Sequence, residues 1–195
     1  MDIHDGDNID DLVKLSFFAD IGKSILEATT IEQTLRVVME RIGAIFAPLN
    51  WSLFLRDART GALRFAVVTG SGADQLRGKS IPRGKGVAGW IAENGQSVII
   101  EDVSRDARFD PSMDQITGFT TRSIIGVPLR TRKGVFGVIE LVNKLDGRAF
   151  TPLELMVLTT IADFAAIAVE KAYYFRALRR IATSTRSPGS TTGAA

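Results

Sequence analysis

Three groups of residues carry types and spacings that chemistry could use. Gly84, Gly86 and Gly89 meet the spacing Gly-x-Gly-x-x-Gly just before a short apolar run. Free N–H groups at such a helix start can accept an anion. A dinucleotide fold needs this motif inside a βαβ unit with a parallel sheet, whereas hairpin signals surround it here. The glycines are therefore expected to shape a strand-to-helix corner, one that can still offer its amides to an anionic ligand. Asn143, Lys144, Phe150 and Glu154 form the second group. A lysine after a strand can pair with a glutamate on the next helix, Asn143 can bond loop amides, and Phe150 can plug the core beneath. An exposed pair of this kind is worth about 0–1 kcal/mol, so its role would be loop geometry. The third group is Asp114, Thr117, Thr121, Arg122 and Glu140. Hydroxyls, a guanidinium and carboxylates against a concave wall can hold the sugar, phosphate and amino groups of a nucleotide. Loop capping and surface ion pairs are the alternative reading of the same residues.

The missing residue types narrow the chemistry further. There is no cysteine, which excludes disulfides, thiolate metal sites and cysteine nucleophiles. The one histidine, His4, sits in a polar start, leaving the folded part without imidazole for haem, zinc or a catalytic triad. Asp and Glu remain as acids and bases, but no nucleophile or ligand set accompanies them, so no enzyme is expected. A net charge of +2 gives no field that points to nucleic acid or an anionic membrane. The start is acidic (Asp2, Asp5, Asp7, Asp10, Asp11) and the end basic (Lys171, Arg176, Arg179, Arg180, Arg186), a pattern of solvated helix ends. No uninterrupted apolar run reaches the roughly 18 residues of a membrane span, and the acidic start does not resemble a signal peptide. A cytoplasmic protein is expected.

The elements that must position these groups follow from periodicity. Residues 8–28 space their apolar positions by three and four as an amphipathic helix. Thr30 with Gln33 signals a second helix that Pro48 ends. Trp51 to Arg56 and Leu63 to Thr69 alternate as a hairpin, and Gly70-Ser71-Gly72 opens a loop. Val87 to Glu93 reads as a short helix stopped at Asn94-Gly95, and Ser97 to Ile100 as a strand. Glu101 to Thr121 is polar and irregular, a lid or binding loop. Arg122 to Arg130 and Val135 to Val142 form a last hairpin. Thr151, Pro152 and Glu154 then launch a helix to about Ile181. That helix is apolar nearly all round, with Val157, Ile161, Phe164, Ala168 and Phe175 able to cover a sheet. Leu155, Leu158, Ala162, Ala165 and Val169 are left to meet other helices. Residues 1–7 and 182–195 are expected to be disordered, flanking a single domain over 8–181.

From about Leu12 to Tyr174 the sequence resembles a GAF domain, the small-molecule sensor module of signalling proteins. Gly86-Val87-Ala88-Gly89 with Asn94-Gly95-Gln96 is similar to one family segment. Thr117-Gly118-Phe119-Thr120-Thr121-Arg122-Ser123 is similar to a stretch of cyclic-nucleotide phosphodiesterases and bacterial adenylate cyclases. Glu140-Leu141-Val142-Asn143-Lys144 resembles the start of their Asn-Lys-Phe-Asp-Glu signature, with Phe150 and Glu154 following and Leu155 in place of its final Glu. The resemblance implies an α+β fold: a central antiparallel sheet of about six strands, terminal helices on one face, and short helices and loops forming a pocket on the other. It implies ligand contacts from Val68, Thr69, Val87, Ala88, Asp114, Thr117, Thr121 and Glu140, with Asn143, Lys144, Phe150 and Glu154 as the signature clamp. Cyclic-GMP binders of the family carry an aromatic and an Asp where this chain has Val68 and Thr69. Cyclic AMP is thus expected ahead of cyclic GMP, or another small metabolite, with no cofactor required. Bilin attachment, methionine sulfoxide reduction and haem sensing need cysteine or core histidine and are excluded. The implied function is a non-catalytic sensor that relays ligand binding through a homodimer of its terminal helices. The alternative is a dimerisation module with no ligand. Output in either case would pass to a separate effector.

Overall fold

Thr30 fixes the start of helix α2 (Ile31–Phe46), its hydroxyl accepting the Gln33 N–H at 3.1 Å. The computed structural model describes residues 16, 19–20, 22–28 and 30–184, and α1 is its helical segment at residues 22–26. His4, residues 1–7 and residues 185–195 lie outside the described residues. Ala47 turns left-handed at φ 40° to close α2, and Pro48 opens the first strand. Beyond it come β1 (Pro48–Arg56), β2 (Leu63–Thr69), α3 (Ala73–Leu76), β3 (Ser80–Ile81), α4 (Gly86–Asn94) and β4 (Val98–Ile100). The rest is α5 (Ser112–Thr117), β5 (Ile124–Thr131), β6 (Gly134–Lys144) and α6 (Pro152–Ser184), which passes the expected end near Ile181.

Among the described residues the six strands form one sheet in the order β3-β2-β1-β6-β5-β4. Every neighbouring pair is antiparallel. The expected α+β architecture is therefore present. Strand alternation gives the sheet two apolar faces. Trp51, Leu53, Ile125, Val127, Leu129, Ile139 and Leu141 point to the helix side, where they meet Ile25, Val38, Ile42 and Phe46. Phe54, Leu63, Ile124 and Val138 point the other way, against Val87, Ala88, Ile91 and Ala92 of α4. Each fully buried Leu, Ile or Phe here is worth about 1.5–3 kcal/mol, so the two layers fix the sheet's position.

Helix α6 uses both of its expected apolar sides at once. Leu158, Ile161, Ala162, Ala165 and Ala168 are buried in a single core with the sheet and α2. The small residues let the helix lie close, and a Cβ on Gly22 of α1 would stand 2.7 Å from the Phe164 ring. By length and composition Pro152–Ala172 could cross a membrane, with a mean hydropathy of 1.7. This corrects the run-based expectation, which Glu154 and Asp163 interrupted. In the structure the helix packs on the sheet instead. Two short helices were also unexpected. The four residues of α3 and the six of α5 lie in stretches read as loop, because segments so short carry no periodicity.

Candidate ligand-binding site

The corner before α4 shows what its glycines do. Gly84 and Gly86 take φ 70° and φ 69°, a region that side chains resist. A Cβ on Gly89 would sit 2.7 Å from the Gly84 carbonyl carbon, so the chain can turn back on itself only without one. The turn brings Gly86, Val87 and Ala88 to the wall of a cavity of about 110 Å³.

That cavity lies between the sheet face opposite α6 and the polar segment before β5. Asn50, Ser52 and Phe54 of β1, Phe65 and Val68 of β2, and Glu140 and Val142 of β6 line the sheet side. Asp110, Met113, Asp114 and Thr117 from around α5, with Phe119 and Thr121, line the roof. The structure thus brings together seven of the expected ligand residues: Val68, Val87, Ala88, Asp114, Thr117, Thr121 and Glu140. Thr69 is not among the lining residues. It follows Val68 on a strand, so it points to the other face and is exposed. Arg122 is also exposed and outside the lining, its backbone N–H going to Asn143 instead. Reading the sequence missed the aromatic wall of Phe54, Phe65, Phe109 and Phe119, with Asn50, Ser52 and Met113. The alternate face of β1 held the clue, because Asn50, Ser52 and Phe54 follow one another at period two.

The roof is held by its own polar groups. Asp114 accepts the Thr121 N–H at 2.8 Å and its hydroxyl at 2.7 Å. The Thr117 hydroxyl donates to the Met113 carbonyl at 2.9 Å, closing α5 internally. Asp110 pairs with Lys85 at 3.1 Å, tying the roof to the corner before α4. Burial pushes the Asp110 carboxyl up, but hydrogen bonds from Ser112 and Lys85 more than offset it and hold it low. On the opposite side Asn50 exchanges two hydrogen bonds with Ser71, at 2.8 and 2.9 Å, fixing the loop before α3. Gly72 in that loop leaves room for Thr117, which a Cβ would meet at 2.4 Å. The expected ribose or phosphate ligands Thr117 and Thr121 are therefore also latches of the roof.

Glu140 is the electrostatic exception. It is half-buried on the sheet face and lines the cavity. Burial pushes its carboxyl up to about 7, with the Asp114 carboxylate adding in the same direction. Among the described residues none donates a hydrogen bond to it. None of the described lining residues is Lys, Arg or His. Among the described residues no group of three His, Cys, Asp or Glu could hold a metal.

The structure brings the four clamp residues together, with one difference in their setting. Asn143, at φ 50°, accepts the Arg122 and Ser123 N–H groups at 2.8 and 3.0 Å and donates to the Thr120 carbonyl at 2.9 Å. It thereby ties the end of the roof to β6. Lys144 meets Glu154 at 2.9 Å, and Glu154 also closes the capping box with Thr151. Phe150 is buried below. The Lys144 and Glu154 side chains are only 15% and 21% exposed, so this pair is largely covered and not the surface bridge expected.

An open antiparallel sheet with helices on one face and a roofed cavity on the other defines a class of regulatory, ligand-binding domains. The chain belongs to the GAF domain family, whose profile matches residues 30–169. A probable 3',5'-cyclic phosphodiesterase of Caenorhabditis elegans is 30% identical over 92% of this chain and 26% of its own. A dual 3',5'-cyclic-AMP and -GMP phosphodiesterase of Takifugu rubripes is 36% identical over 51% of this chain and 11% of its own. A cone cGMP-specific 3',5'-cyclic phosphodiesterase subunit of Bos taurus is 27% identical over 72% and 18%. The chain spans about a quarter or less of these relatives. Among solved structures, the GAF domain of a phosphoenolpyruvate-protein phosphotransferase from Coxiella burnetii shares the fold. Its TM-score is 0.71 at 20% identity, covering 84% of this chain and 96% of that one.

Proposed function

We propose that this domain is a non-catalytic sensor that binds a small ligand in the roofed cavity and relays its occupancy through helix-mediated dimerisation. The observation that carries the reading is the convergence of seven expected residues on one cavity whose roof is latched by short hydrogen bonds. At about 110 Å³ the cavity is smaller than the ~300–1,000 Å³ of ordinary ligand pockets. A nucleotide therefore requires the α5 roof to lift, and that movement is the event a sensor can relay.

The ligand preference changes. Cyclic AMP was favoured because β2 lacks an aromatic face and a base-edge acceptor at Val68 and Thr69. Phe54 and Phe65, with ring centres 4.7 Å apart, and Glu140 offer both from other positions. The relatives' names likewise give no preference for cyclic AMP, since one is cGMP-specific and another dual. Cyclic GMP becomes the leading candidate. The dimer would use α6, where Leu153, Met156, Ile167 and Tyr174 are 52–62% exposed along one side. The same stripe supports the alternative of a dimerisation module without ligand. A cytoplasmic setting fits the cysteine-free composition.

A thermal-shift panel of cyclic GMP, cyclic AMP and common nucleotides tests the sensor reading, alongside a cavity-filling Val68→Trp variant. Saturation at 100 dissociation constants stabilises by about 2.7 kcal/mol, or roughly 5–10 °C here. A shift lost in the variant supports the sensor. No shift with any compound favours the ligand-free module.

A further inference from the structure

Helix α6 carries one side that the domain leaves uncovered. Leu153, Met156, Asp163, Ile167, Lys171 and Tyr174 recur along it three, four or seven residues apart, and all are exposed. Among the described residues the Asp163 carboxylate has no partner. Lys171 donates to the Leu26 carbonyl at 3.0 Å and keeps two further N–H donors. The two ends of the sheet differ in charge as well. Helix α6 starts where β6 stops, which is why Lys144 reaches Glu154. Helix α1 runs beside α6 in the same direction, with Gly22 at Phe164 and Leu26 at Lys171. The chain therefore enters α1 at that end, and the sequence before it holds Asp2, Asp5, Asp7, Asp10 and Asp11. At the opposite end the β1–β2 and β5–β6 turns lie side by side, because β1 pairs with β6. They present Arg59, Arg130, Arg132 and Lys133, all exposed and, among the described residues, in no salt bridge.

We propose that a second copy of this chain covers this side of α6 in antiparallel orientation, about a two-fold axis that crosses the helix at Ile167. The proposal rests on the reading that α6 mediates dimerisation, and it names how the partner sits. Such an axis sets positions four residues to either side of Ile167 against each other, so Asp163 faces Lys171 of the second copy, and symmetry makes the contact twice. Ile167 meets its own equivalent between the two pairs. The acidic approach to α1 in one copy is then directed at the basic turns of the other. A parallel pair does the reverse. Asp163 would face Asp163, and acidic and basic ends would each lie beside their like. Charges set like against like penalise an interface, whereas complementary ones fix its orientation.

The chain has no cysteine, so a spin label on Leu153→Cys reports a single distance in a dimer. Position 153 lies fourteen residues from Ile167, which at ~1.5 Å per residue puts the labelled positions of antiparallel copies roughly 40 Å apart. Parallel copies put them about 10 Å apart, the spacing of packed helices. Sedimentation at low salt then reads the charges. Asp163→Lys is expected to weaken the dimer about tenfold or more, because it sets a lysine against Lys171 at both contacts. Adding Lys171→Asp reverses each pair and should return the dissociation constant to within about threefold of the wild type. In a parallel dimer Asp163→Lys exchanges one like pair for another and changes little. The long distance, with that loss and its rescue, supports the proposal. A dimer with the short distance overturns it and leaves the dimerisation reading standing. The long distance with an unchanged Asp163→Lys overturns the axis at Ile167. Should the double variant not fold, the distance and the single swap decide. A wild-type monomer at micromolar concentration removes this inference together with the relay, and leaves ligand binding in the cavity as a separate question.

Discussion

Glu140 and Asn143 lie three residues apart on β6 and pose opposite problems. Glu140 is a half-buried acid whose folded-state pKa is raised to about 7, so the native state holds its proton more tightly than the unfolded chain. The associated stability is fully present below the unfolded value and falls as pH rises, by roughly 1.4 kcal/mol per unit until the folded pKa is passed. Glu140→Gln should therefore flatten the melting profile between about pH 4.5 and 7 and raise stability at pH 8 by on the order of 2–3 kcal/mol. A melting-temperature series across that range reads it. An unchanged slope would mean that the carboxyl is hydrated. Asn143 is instead fully used, holding three backbone groups from a left-handed conformation. Asn143→Ala strands two amides and puts Ala at positive φ, for an expected loss of about 2–4 kcal/mol in urea denaturation. The role of Asn143 was legible because an Asn closing one strand of a hairpin lies beside the loop that enters the other, whose amides it holds 20 and 21 residues back. The isolation of Glu140 was not, since it depends on which donors fail to reach it.

At the scale of elements, the roof and its hinges separate stability from binding. Gly72 meets Thr117 of α5 and adopts φ 79°, so Gly72→Ala should push α3 and α5 apart. The expected stability loss is about 1–2 kcal/mol. Ligand dissociation should rise further than that loss explains, which stopped-flow displacement would detect. Gly89→Ala acts beneath the cavity, where its Cβ would strike the Gly84 backbone. Its cost of about 1–3 kcal/mol should appear in denaturation without a ligand present. The glycine spacing correctly indicated a corner at Gly84 to Gly89. Helices α3 and α5 escaped notice because four and six residues cannot display a helical period. They exist through contact with each other and with the sheet.

For the whole molecule, the exposed side of α6 is the surface that a second copy would cover. A Met156→Glu, Ile167→Glu pair places charges at exposed apolar positions without entering the core. Sedimentation of the wild type at micromolar concentration is expected to show a dimer that this double variant converts to monomer. A wild-type monomer would refute the relay. The melting temperature of the monomeric variant separates a lost interface from a damaged fold.

The sequence by itself determined the order of the longer elements, the alternation that gives the sheet two faces, the helix caps at Thr30 and Thr151, and the clamp. All of these are set by neighbours within a turn, a strand pair or a capping box. Tertiary structure alone decided which side chains share the cavity. Strand β6 joins the β1–β2 hairpin from a distant part of the chain, and the register of the three places Asn50, Phe65 and Glu140 on one face while turning Thr69 away. It also decided the state of Glu140, because a carboxyl's proton affinity depends on all the groups that surround it in space, and those positions exist only once the sheet has closed against its roof.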